Sequence, residues 1–370
     1  MRQLLVKPAI YEYKTCAAFA AEFEIGAGDL ILTNEFIYQP FFGDLNLEAD
    51  VLYQERYGSG EPSDEMAEEI WADIKKSYKR IIGIGGGTVL DLAKLYALQE
   101  VSPIVDLFDR KFSPVKDKEL ILIPTTCGTG SEITNLSILE IKSRHTKMGY
   151  GADEIFADSV VMIPKLLETL PYAVFATSSL DALIHAAESA VSPKANAYTK
   201  LFSFQAIEMI LGGYREIAQK GAEARLALLD EFLRASNYAG IAFGNAGVGA
   251  VHAMSYPLGG KYHVPHGEAN YALFLGVFRK YASISRKGAI AELHAVMADA
   301  LDCAVLDVYE VLGELLEAIL PRRPRGEYGV TEADISAFTT IVMEKQGRLT
   351  ANNFVPLSAQ DVTDIYTELR

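Results

Sequence analysis

Short apolar runs alternate with stretches of helical period through the first 165 residues. The runs Asp29–Thr33, Arg80–Ile84, Ile104–Leu107, Glu119–Ile123 and Ser159–Ile163 are rich in Ile, Leu and Val without strict apolar–polar alternation. Strands buried on both faces of a parallel sheet have this texture, so five such strands are predicted. Between the first two, Ser63–Lys79 carries Met66, Ile70 and Ile74 on one stripe, with Ala67, Trp71 and Tyr78 beside it. That period predicts a helix, with Ser63 placed to cap it after Pro62. Strand–helix alternation indicates α/β layers. From Pro164 the β-branched runs become scarce, and Ala195–Leu211, Glu223–Ala242 and Lys287–Ala300 read as helices. The pattern predicts an α/β domain over 1–165 and an all-helical domain over 166–370. The boundary falls between Ile163 and Ala176, and the breaker cluster Pro321–Gly326 is read as a loop inside the second domain.

A length of 370 residues suits two domains rather than one core. The net charge of −15, with no concentrated Lys/Arg patch, argues against nucleic acid as a partner. Cys16, Cys127 and Cys303 lie far apart without CxxC spacing, which points to a reducing compartment and no disulfide framework. No run approaches the roughly eighteen apolar residues of a membrane span. The stretch MRQLLVKPAIYEYK lacks the apolar core of a signal peptide. A cytoplasmic protein is expected.

The densest chemistry lies in Phe243–Asn270, FGNAGVGAVHAMSYPLGGKYHVPHGEAN. It holds His252, His263 and His266, three of the six histidines in the chain. Upstream, SSLDALIHAAE sets Asp181 and His185 four apart, on one face of a helix. One carboxylate with several imidazoles describes a site for a borderline divalent cation. The residues alone do not choose among the three later histidines.

Two loops suit phosphate. RIIGIGGGTVLDLAK (Arg80–Lys94) is an apolar strand, three glycines, and Thr88 opening a helix. Glycine admits a close backbone approach, and a helix N-terminus offers free N–H groups. It is neither GxGxxG nor a Walker A loop, and tight strand–helix packing is the competing explanation. PTTCGTGSE (Pro124–Glu132) follows the next apolar run with four hydroxyl side chains and two glycines. A capped turn, with Thr129 or Ser131 as the cap, competes there. Two such loops at neighbouring strand ends favour a nucleotide. Cys127 is read as a bystander.

In order and spacing, GIGGGTVLDLAK, PTTCGTGSE, DALIHAAE, VHAMSYPLGG and PHG resemble the iron-containing (group III) alcohol dehydrogenase family. The resemblance covers nearly the whole chain. It implies an N-terminal α/β dinucleotide-binding domain, an all-α C-terminal domain and a metal between them, the dehydroquinate synthase-like architecture. It implies Asp181, His185, His252 and His266 as metal ligands, which leaves His263 out. It implies Gly86, Gly87 and Thr88 at the pyrophosphate, Thr125, Thr126 and Thr129 toward the nicotinamide, and Lys147 near phosphate or ribose. The implied cofactors are NAD, with NADP tolerated, and Fe2+, with Zn2+ as the alternative. The implied assembly is a homodimer or larger.

Two positions depart from the family. Many members carry a histidine, credited with relaying the proton, where this chain has Tyr256; His263, solvent or the ribose hydroxyl are the other candidates for that relay, and a structural role is the competing reading of Tyr256. NAD-preferring members often carry an Asp after the first strand, where this chain has Asn34 followed by Glu35. The segments SRHTKMG, SYPLGGKYHVPHGE and LTANNFVPL are most like members acting on 4-hydroxybutyrate. The expected reaction is reversible 4-hydroxybutyrate/succinate semialdehyde interconversion by hydride transfer. Arg144 and Lys261 are candidate anchors for the substrate carboxylate. A general short-chain primary alcohol or diol dehydrogenase is the alternative. Cyclisation chemistry of the dehydroquinate synthase type would need clustered basic residues that are not seen here, and a non-enzymatic metal protein would have no use for the two loops.

Overall fold

Four of the five apolar runs become contiguous strands of one parallel sheet in the computed structural model of the protein, which describes residues 2–144, 146–323 and 326–369. The strands are β1 (Ala9–Glu12), β2 (Asp29–Thr33), β3 (Asp50–Tyr53), β4 (Arg80–Gly85), β5 (Glu119–Pro124), β6 (Leu136–Ile141), β7 (Thr146–Gly151) and β8 (Ser159–Met162). The sheet runs β1-β8-β5-β4-β2-β3, and every pair in it is parallel. β2 and β8 are buried along their whole length, and β4 and β5 from their second residue on, which is why their sequences lack alternation. The edges β1 and β3 carry no such signature: all four residues of β1 are exposed. β6 and β7 form a separate antiparallel hairpin.

The helices of this half are α1 (Cys16–Glu22), α2 (Glu35–Phe42), α3 (Asp64–Asp73), α4 (Gly87–Tyr96) and α5 (Ile104–Phe108). The predicted strand Ile104–Leu107 is therefore a helix. Pro103 before it is extended, and Asp106 stands in its first turn. A run of four apolar residues is too short for its period to distinguish the two states. α3 starts as predicted, with Ser63 Oγ accepting from Met66 N at 3.2 Å, but stops six residues before Lys79. Ile74 leaves the helical region, and Tyr78 Oη instead donates to Asp50 Oδ2 at the start of β3 (2.9 Å).

The second half is helical: α6 (Tyr172–Val191), α7 (Ala197–Lys220), α8 (Leu229–Ala246), α9 (Ala250–Tyr262), α10 (His266–Ile284), α11 (Ala289–Leu301), α12 (Val308–Ile319), α13 (Glu332–Lys345), α14 (Gly347–Thr350) and α15 (Ala359–Thr367). Within the predicted loop Pro321–Gly326, Pro324 and Arg325 lie outside the described residues. The chain divides into two compact units, Val6–Leu170 and Pro171–Arg370, the latter together with Met1–Leu5. Asn245 of α8 secures that first segment: its Oδ1 accepts from Leu5 N (2.7 Å) and its Nδ2 donates to Leu5 O (3.0 Å). α6 is buried without interruption from Ser179 to Val191, as the central helix of its unit must be.

Candidate metal and nucleotide sites

In the helical unit, three helices deliver the polar side chains that α6 buries. Asp181 and His185 stand one turn apart on α6, His252 comes from α9, and His266 opens α10. Asp181, His185 and His252 are 3%, 5% and 2% exposed, while the His266 side chain keeps 30% of its surface. His252 Nε2 lies 3.7 Å, His266 Nε2 3.9 Å and His185 Nδ1 4.0 Å from an Asp181 oxygen. Ligands about 2.1 Å from a tetrahedral cation stand about 3.4 Å apart, so these donors are within a small adjustment of that geometry. The His185 ring is packed between Phe243 (4.3 Å) and His252 (4.6 Å), which fixes its plane. Gly267 is needed beside His266, because a Cβ there would strike the carbonyl of Thr177 on α6.

Burial by itself would push the Asp181 carboxyl up, but His185, His266, His252 and the Asn270 amide together hold it below the usual carboxylate range. A carboxylate that stays ionised away from water, ringed by imidazoles, has the donor chemistry of a divalent N/O site.

Two further residues complete the cluster, and neither was singled out in the sequence. Glu188 on α6 is 2% exposed; its Oε2 meets His252 Nδ1 at 2.6 Å and its Oε1 accepts from Val251 N at 2.7 Å. The bond to Nδ1 leaves Nε2 of His252 aimed at Asp181. Asn270 on α10 is fully buried; its Nδ2 donates to Asp181 Oδ1 at 2.7 Å and lies 3.1 and 3.2 Å from Nε2 of His252 and His266. Helical spacing carries both signals: Glu188 is three residues after His185, and Asn270 four after His266.

The remaining candidates separate. The Tyr256 ring packs 6.0 Å from that of His266. His263 is exposed at the end of α9, in the left-handed conformation (φ 53°). Lys261 is committed to Asp334, and Arg144 holds Asp109 with two bonds of 2.7 and 2.6 Å. Each proposed carboxylate anchor thus already has a carboxylate.

In the α/β unit, the two loops sit against each other. A Cβ at Gly86 would lie 3.4 Å from Thr126 Cγ2, and one at Gly87 only 3.0 Å from Thr129 Cγ2. Gly85 is a packing glycine: a Cβ there would fall 2.6 Å from that of Val89. Gly86 offers no side-chain cap to α4, so the first-turn N–H groups are free to meet an anion. Thr125 is buried and its N–H donates to Gly85 O (3.0 Å). Thr129 Oγ1 accepts from Ser131 N (3.2 Å). Thr88 Oγ1 donates to Gly60 O (3.1 Å), and Lys147 of β7 pairs with Glu61 of the same segment. Asn34 follows β2, and its amide donates to Gln54 and Glu55.

Behind the loops, Lys94 of α4 is wholly buried. It donates to Leu136 O (2.6 Å), Ser131 Oγ (2.7 Å) and Asp91 Oδ1 (3.1 Å). Burial drives its pKa down against the pull of Asp91. This ammonium cross-links α4 to the hydroxyl-rich loop and the start of β6.

Comparison with known proteins covers both units. Residues 10–164 match the family described as iron-containing alcohol dehydrogenase, and residues 175–369 match the C-terminal region of the Fe-containing alcohol dehydrogenase family. The chain is 49% identical to 4-hydroxybutyrate dehydrogenase of Clostridium kluyveri over 370 residues, all of each protein. It is 32% identical over 318 residues to long-chain-alcohol dehydrogenase 1 of Geobacillus thermodenitrificans, covering 83% of this chain and 79% of that one. Its fold is that of sulfoacetaldehyde reductase from Bifidobacterium kashiwanohense, solved in complex with NAD+, with a TM-score of 0.85 at 20% identity over 100% and 98% of the two chains.

Proposed function

This chain belongs to the iron-containing alcohol dehydrogenase family, and from that we propose that it interconverts 4-hydroxybutyrate and succinate semialdehyde by hydride exchange with NAD. It is an oxidoreductase acting on a primary alcohol. The observation that carries the substrate is the 49% identity, end to end, with the Clostridium kluyveri enzyme. A general short-chain alcohol or diol substrate remains the second reading, favoured by the engagement of Arg144 and Lys261 with Asp109 and Asp334.

Asp181, His185, His252 and His266 are the residues that fit a divalent cation, Fe2+ first and Zn2+ second. When bound, the cation supplies Lewis acidity toward the substrate oxygen and the nicotinamide supplies the hydride chemistry. Glu188 orients His252, and Asn270 orients Asp181. Phe243 and the buried faces of α6 and α9 keep water from His185 and His252. Gly86, Gly87 and Thr88 take the pyrophosphate at the start of α4, with Thr125, Thr126 and Thr129 beyond it and Lys147 toward phosphate or ribose. The proton of the alcohol passes by way of Tyr256, which packs beside His266, in preference to the solvent-facing His263. The exposed edge strand β1, with Ile10 and Tyr11 open to solvent, supports a homodimer or larger assembly. Three free cysteines support a reducing, cytoplasmic setting, and no helix of the described residues is long and apolar enough to cross a membrane.

The test is NADH oxidation with succinate semialdehyde beside butyraldehyde, on protein reconstituted anaerobically with Fe2+ or Zn2+. A strong preference for the carboxylated aldehyde supports the 4-hydroxybutyrate reading. Equal or faster turnover of butyraldehyde removes that substrate and leaves the dehydrogenase. Inactivity toward both with either metal removes the hydride-transfer assignment.

A further inference from the structure

NAD and NADP differ only at the 2′-oxygen of the adenosine ribose. In a parallel dinucleotide-binding sheet, a carboxylate at the end of the strand beside the glycine turn accepts from the 2′-hydroxyl and repels a 2′-phosphate. Here that strand is β2: it neighbours β4, with Leu32 opposite Gly83, so the residue that follows it, Asn34, flanks the turn. Asn34 carries no charge. The charge comes from the next strand over. Thr33 pairs with Tyr53 at the end of β3, and the turn Gln54–Tyr57 follows at once.

Asn34 is 9% exposed, and its Nδ2 donates to Glu55 Oε2 (2.9 Å) and Gln54 Oε1 (3.2 Å). The other oxygen of Glu55 accepts from Glu35 N at the start of α2 (2.7 Å). Gln54 is itself held, its Nε2 donating to Gly58 O (2.9 Å). Both oxygens of Glu55 thus have fixed donors, so the carboxylate keeps one position although its side chain is exposed. An aspartate at position 34 would bring a second carboxylate within hydrogen-bonding distance of Glu55, and an amide removes that repulsion.

We propose that Glu55 provides the negative charge by which this protein selects NAD over NADP, with Asn34 as the residue that positions it. The assignment rests on the glycine turn holding the coenzyme pyrophosphate.

Equilibrium titration of NADH and NADPH fluorescence on the metal-loaded protein, without substrate, tests it. The wild type binds NADH about tenfold or more tighter than NADPH, as expected for one exposed charge facing a phosphate. Glu55→Gln, which keeps the shape and one acceptor, tightens NADPH about tenfold and leaves NADH within about threefold. Asn34→Asp combined with Glu55→Gln moves the charge back to position 34 and restores the preference for NADH. Glu55→Lys, read the same way, reverses the preference. A selectivity ratio unchanged in Glu55→Gln and Glu55→Lys, or a wild type that binds both coenzymes equally, overturns the role of Glu55 and leaves the nucleotide site standing. A wild type that binds neither coenzyme overturns the nucleotide reading and this assignment with it.

Discussion

Glu188 Oε2 lies 2.6 Å from His252 Nδ1, and both groups are almost completely removed from water. A ligating imidazole held by a buried carboxylate has one orientation and a raised basicity at its other nitrogen. Glu188→Gln keeps the shape and loses the charge. It is expected to weaken Zn2+ or Co2+ binding about 10- to 100-fold. Competition against a chromophoric chelator measures this without any turnover, and affinity equal to wild type would remove Glu188 from the site.

Lys94 makes a different kind of contribution, to the frame of the α/β unit. Removing one partner of a buried charged network leaves the other uncompensated, at a cost of about 3–5 kcal/mol. Lys94→Met should therefore lower stability by about that amount, because Asp91 would stay buried without its cation. Urea unfolding of the two proteins reads the difference; a loss below about 1 kcal/mol would show that the network is not a stabilising one.

Acid sensitivity should trace to Asp334, which binds α13 to α9. Lys261, then Thr331, then Tyr262 hold its carboxyl below the usual range. A depressed folded-state pKa gives stability that is present above the unfolded value, near pH 4, and is lost as pH falls through the lower folded value. Melting temperatures of Asp334→Asn and wild type should differ most at neutral pH, and the gap should narrow progressively as pH falls below about 4 toward the lower folded value. A gap that stays constant with pH would contradict this.

Tyr256 and His263 make opposite predictions for the proton. Tyr256→Phe should lower kcat about 100-fold or more and flatten the alkaline limb of the pH profile. His263→Asn should leave kcat within about twofold, since the ring faces solvent. The reverse pattern would move the relay to His263.

The site was easier to see in the sequence than the frame around it. Asp181 and His185 announce themselves because helical spacing converts four residues into one face. The same rule reaches Glu188 and Asn270, which pass unnoticed only because a glutamate or an asparagine on a helix is ordinarily a surface residue. The sheet was legible where strands are buried on both sides, at β2, β4, β5 and β8. β1 was not, since its Ala-Ile-Tyr-Glu stands at an exposed edge with no apolar face to mark it. Ile104–Leu107 failed for lack of length. The role of Glu55 could not be read from the chain at all, because it depends on β3 lying beside β2 in space.

The bonds between Leu5 and Asn245 join residues 240 positions apart. They give the chain an order of assembly during synthesis. Residues 6–170 can close their sheet as soon as β8 has left the ribosome, while Leu5 still waits for α8. At 5–20 residues per second that wait lasts roughly 10–50 s. The segment before β1 thus emerges well before the helix that secures it, and through that interval Leu5 lacks both of these bonds.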